Sequence, residues 1–65
     1  MIKVNGVLTE QLEGLTVDEF LQKNGYKKEY VAVERNGQIV PKKEYDTVVL
    51  KNQDSLEVVS FVGGG

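Results

Sequence analysis

The residues best placed to do chemistry stand at the end of the sequence, where Gly63, Gly64 and Gly65 follow directly on the apolar run Val58-Val59-Ser60-Phe61-Val62 with no polar spacer. Glycine has no side chain to react, so the group on offer is the Gly65 carboxylate. A carboxylate is a poor electrophile; attack by sulfur or nitrogen needs a better leaving group than oxide, and joining it to AMP in another protein's nucleotide site supplies one. A tail that threads a narrow channel is best made of glycine, which has no Cβ to clash and takes any allowed backbone conformation. Gly65 then supplies the reacting carbonyl, with Gly64 and Gly63 as its slim lead. Val59, Phe61 and Val62 offer apolar anchors of the kind that dominate small interfaces. Two competing readings stand beside this one. Glycines are tolerated at a frayed end, and a helix or loop could cover Val59 and Phe61.

Composition excludes other chemistries. The chain has 65 residues, no cysteine and no histidine, which removes a thiol nucleophile, an imidazole base and the usual transition-metal ligands. No metal site and no catalytic residue is therefore expected. A net charge of −2 argues against a nucleic-acid module, which normally carries a basic face; the pairs Lys27-Lys28 and Lys42-Lys43 read as solvated residues near turns. No apolar run approaches the roughly 20 residues of a membrane span, and Met1-Ile2-Lys3-Val4 lacks the pattern of a signal peptide. The expectation is a cytoplasmic protein, a single domain over 1–62 with a flexible glycine tail over 63–65, where nothing offsets the entropy of ordering.

The elements that must position that tail are legible. Eleven valines and two isoleucines against one alanine favour strands, because branching at Cβ suits a pleated surface better than a helix. Asn5-Gly6 and Asn36-Gly37 each sit between apolar runs and suit the positive φ angles of a tight hairpin turn. Two-residue turns there place Val4 opposite Val7 and Val33 opposite Val40; Leu8 and Leu12 fall on the face away from Val7, which suggests a bulge in the first hairpin. Thr16 and Glu19 form a capping box, Val17, Phe20 and Leu21 make one apolar stripe, and Asn24-Gly25 ends the helix. Asp18 and Glu19 thus belong to the helix start rather than to a carboxylate pair. Beyond Pro41, residues 42–46 suit a helical turn with Tyr45 inward, Val48-Val49-Leu50 a short strand, and Asn52-Gln53-Asp54 a turn. Ser55 to Val62 forms the last strand, with Leu56 and Val58 on the core face and Glu57, Val59 and Phe61 on the other. With the first and last strands parallel at the centre, these elements give an α+β, β-grasp (ubiquitin-like) fold: a mixed sheet of four to five strands with one main helix across one face.

Over its whole length the chain resembles the ThiS family of thiamine-biosynthesis sulfur carriers. The resemblance is carried by Ile2-Lys3-Val4-Asn5-Gly6, by the helix from Leu15-Thr16-Val17 to Leu21, by the run from Val31 to Pro41, and by Asp54-Ser55-Leu56-Glu57-Val58-Val59 with the closing Gly64-Gly65. Gly63 extends the terminal glycine pair, and Lys42 and Tyr45 stand where relatives often carry Arg and Trp. The resemblance implies a carrier rather than an enzyme. It implies further that a ThiF-type adenylyltransferase, using ATP and magnesium, would convert the Gly65 carboxylate to an acyl-adenylate, that a sulfur-donor protein would turn it into a thiocarboxylate, and that a ThiG-type thiazole synthase would take the sulfur into the thiazole ring. Alternatives with the same tail are a sulfur carrier for molybdopterin synthesis, a ubiquitin-like protein modifier, and an interaction module whose glycines do nothing.

Overall fold

In a computed structural model, which describes residues 1–61, both Asn-Gly turns are tight hairpins. β1 (Ile2–Val4) and β2 (Val7–Thr9) pair antiparallel with Val4 opposite Val7, while β3 (Val31–Arg35) and β4 (Gln38–Ile39) pair around the second turn. The asparagines sit at φ 50° and 52° and the glycines after them at 83°, the conformation such turns require. The Val40 N–H donates to the Val33 carbonyl at 2.9 Å, which places those two valines opposite each other. Between the hairpins lies α1 (Val17–Lys23), with the capping box at Thr16 and Glu19 formed in both directions at 2.9 and 3.0 Å.

β5 (Ser55–Ser60) completes a five-stranded sheet in the order β2-β1-β5-β3-β4, parallel to β1 and antiparallel to β3. Ile2, Val31, Val33, Leu56 and Val58 are buried in one cluster with Val17, Phe20 and Leu21 of the helix, so α1 covers one face of the sheet. Tyr45 follows a 3-10 turn at Lys42–Glu44 and is 2% exposed, packing inward as expected.

Two local expectations fail. The first hairpin has no bulge: Ile2, Lys3 and Val4 pair in regular register with Thr9, Leu8 and Val7. Leu8 stays exposed, and Leu12 returns to the core because the chain reverses beyond the strand, with Gln11 at φ 67° and Gly14 at φ 88°. Val48 to Leu50 does not form a strand but a single bridge, Thr16 to Val49. Its partner is the segment just before α1; after Val17 N–H donates to Val48 at 3.0 Å and Leu50 N–H to Leu15 at 2.8 Å, the partner becomes helical and pairing stops.

Candidate functional site: the outer face and free end of β5

The side chains of β5 alternate, and the core takes Leu56 and Val58. Val59 and Phe61 therefore face away from α1, and they remain 58% and 47% exposed. Among the described residues, neither the helix nor a loop covers them. Val59 lies opposite Ala32 of β3. The Phe61 N–H donates to the Tyr30 carbonyl at 2.8 Å, which extends the pairing past Ser60 and brings exposed Tyr30 beside this face. At its rim the Lys42 ammonium lies 5.7 Å from the centre of the Phe61 ring, within cation–π range, and reaches the Glu29 carbonyl at 3.3 Å. The result is a small apolar surface with a cationic border. Of the residues assigned to partner binding and tail chemistry, Val62, Gly63, Gly64 and Gly65 lie outside the described residues, as does the expected boundary between domain and tail.

Two asparagines that read only as turn formers also hold β5. Asn5 Oδ1 accepts from the Val58 N–H at 2.8 Å and Asn5 Nδ2 donates to the Val58 carbonyl at 3.2 Å. Asn36 Oδ1 accepts from the Ser55 N–H at 2.9 Å, and Asn36 Nδ2 donates to Asp54 at 3.0 Å. Asp54 is the buried polar residue among those described, at 6% exposure. Its carboxylate also accepts from Arg35 Nε at 2.9 Å and from the Lys51 N–H at 2.8 Å. Burial alone would raise the Asp54 pKa; the Lys51 N–H, the Asn36 amide and the Arg35 guanidinium outweigh it and hold the carboxyl below its ordinary value. This network anchors the start of β5, at the end of the strand away from the glycines. Its only sequence signal was the polar run Asn52-Gln53-Asp54 before a strand.

Among the described residues, no group of three or more acidic side chains converges on a place for a metal ion. No helix among them is long and apolar enough to cross a membrane.

Sheet order, parallel central strands and a single covering helix define this as a β-grasp domain, ubiquitin-like in architecture. The ThiS family model matches residues 2–65, and the chain belongs to the ThiS family. The crystal structure of the thiamine biosynthesis protein ThiS from Geobacter metallireducens superposes with a TM-score of 0.79 at 34% identity, over 98% of this chain and 97% of that one. The sulfur carrier protein ThiS of Bacillus subtilis is 40% identical over 50 residues, 77% of this chain and 76% of its own length. A thiazole synthase of Paramagnetospirillum magneticum is 42% identical over 62 residues, covering 95% of this chain and 19% of that protein. One from Magnetococcus marinus is 42% identical over 64 residues, or 98% and 20%. The chain thus spans about a fifth of the length of the thiazole synthases it matches.

Proposed function

We propose that this chain is a cytoplasmic sulfur carrier of thiamine biosynthesis, consumed and regenerated as a cosubstrate and not itself catalytic. A ThiF-type adenylyltransferase with ATP and magnesium joins the Gly65 carboxylate to AMP, releasing pyrophosphate. Sulfur from a donor protein attacks the acyl carbon and displaces AMP; where it arrives as a persulfide, a thiol then reduces the resulting acyl disulfide and leaves as the disulfide partner, so that one carboxylate oxygen departs with AMP and sulfur takes its place. A ThiG-type thiazole synthase receives the thiocarboxylate and takes the sulfur into the thiazole ring. Gly63 and Gly64 thread the tail to both active sites, and the surface of Val59, Phe61 and Val62 docks the body.

The observation that carries this reading is the family match over residues 2–65, which includes the glycines that follow β5. The exposed Val59 and Phe61 side chains supply an apolar docking surface next to them. Similarity to two thiazole synthases favours thiamine over molybdopterin as the destination of the sulfur. The test is intact-protein mass spectrometry after incubation with the adenylyltransferase, ATP, magnesium and a sulfur donor. The expected product carries one oxygen-for-sulfur exchange and is not formed when Gly65 is deleted. An unchanged mass, with the adenylyltransferase competent on another carrier, would refute the proposal; an isopeptide conjugate on a lysine would replace it with the modifier reading.

A further inference from the structure

The backbone of β1 reaches only the first two residues of β5, Ser55 and Leu56, although β5 continues to Ser60. The last backbone bond on that side runs from the Asn5 N–H to the Leu56 carbonyl at 2.9 Å. There the Asn5-Gly6 turn takes the chain away. Val58 presents the next N–H and carbonyl to the same side, and the Asn5 carboxamide takes both, at 2.8 and 3.2 Å and from 53 residues away. A carboxamide offers an acceptor and donors together, as a peptide group does, so one side chain stands in for the neighbouring strand. The turn does not require it. Glycine satisfies a positive φ at this position equally well, which leaves the carboxamide to be explained by its bonds to Val58.

Among the described residues, β5 makes no further hydrogen bond on this side beyond Val58. On the opposite side β3 holds it as far as Phe61. A strand bonded along one edge swings about that edge, whereas a strand bonded along both points one way. We infer that Asn5 is a positioning residue. Its carboxamide fixes the direction in which β5 runs past Val58, beside the Val59 and Phe61 surface and toward the residues that carry the tail. This rests on the sulfur-carrier reading above. An error of about 1 Å at a reacting centre costs up to about a hundredfold in rate.

The test uses the Asn5→Gly variant, which keeps the turn and deletes the carboxamide. The readouts are amide hydrogen exchange at Val58 and the steady-state kinetics of adenylation of the carrier. Gly25→Ala serves as a control of stability: Gly25 sits at φ 77° after the helix, so alanine there strains the backbone away from β5. The expected result for Asn5→Gly is faster exchange at Val58 and a fall of about tenfold in kcat, with KM for the carrier within about twofold because the docking surface is intact. Gly25→Ala should keep the wild-type kcat despite a lowered Tm. Asn5→Asp, which retains the acceptor for the Val58 N–H and loses the donor, should fall between wild type and Asn5→Gly. A wild-type kcat in Asn5→Gly, or an equal loss in Gly25→Ala, would overturn the inference and leave the carrier function standing. Failure of the wild-type protein to be adenylated would remove the carrier function, and this inference with it.

Discussion

Replacing Val59 and Phe61 together by serine should separate docking from folding. Fully burying a valine or phenylalanine side chain is worth about 1.5–3 kcal/mol. Val59 and Phe61 are 58% and 47% exposed, so roughly half of that gain is still to be collected when a partner covers them. This comes to about 1 kcal/mol for each residue and about 2 kcal/mol for the pair, or about a thirtyfold weaker Kd. The fold should lose a comparable amount, about 2 kcal/mol, because the other half of each side chain is already covered in the free protein. The contact of the Phe61 ring with the Lys42 ammonium adds about 0.5–1 kcal/mol to that loss. Isothermal titration of the double variant against the adenylyltransferase measures the first quantity, and a thermal melt measures the second. A Kd within threefold of the wild-type value would refute the assignment of this surface. So would a collapse in stability beyond that loss, which would mean that the two side chains serve mainly the fold.

Three further outcomes follow from the same geometry. Asp54→Ala removes the acceptor for Arg35, Asn36 and the Lys51 N–H; it should cost about 3 kcal/mol, with part-exposed Arg35 contributing least, and lower Tm by about 12–24 °C. Because the folded-state pKa of Asp54 lies below its unfolded value, its stabilisation is present above the unfolded pKa and is lost as pH falls through the folded one. Urea unfolding should therefore show stability dropping below about pH 4, with a flatter profile in Asp54→Asn; the acid loss that remains there should come in part from Glu13, whose carboxyl is lowered first by its own backbone N–H and then by the N-terminal ammonium. Thr16→Ala breaks the capping box and should cost about 1 kcal/mol, read as a drop of about 4–8 °C in Tm.

What the sequence made legible was local or periodic. Asn5-Gly6 and Asn36-Gly37 marked their turns because few other dipeptides tolerate two successive positive φ angles. Thr16 and Glu19 marked a helix start because the capping box has a fixed spacing. Alternation along β5 placed Val59 and Phe61 opposite Leu56 and Val58, and it was chain order that paired the first strand with the last. Pairings between polar side chains distant in sequence were not legible. Asp54 lies 19 residues from Arg35 and 18 from Asn36, and no spacing rule links them. Asn5 was assigned to its turn, which left no reason to look for a second task. Val48 to Leu50 has the composition of a strand, but a ladder needs a partner that stays extended, and this partner turns helical after Thr16.

The central position of β5 also bears on how the fold is reached. β1 and β5 lie near opposite ends of residues 1–61 and pair side by side in the middle of the sheet. Without residues 55–60 the sheet is two hairpins, β2 with β1 and β3 with β4, with no strand to join them. Isolated two-stranded hairpins are at best marginally stable in water, and pairings of such long sequence separation are slow to form. Assembly must therefore await the last strand, whether on the ribosome or on dilution from denaturant, and should proceed as one cooperative step. A chain interrupted before Ser55 loses its native core and its Val59 and Phe61 surface together, so a folded body certifies that synthesis has run through to the strand that carries the tail.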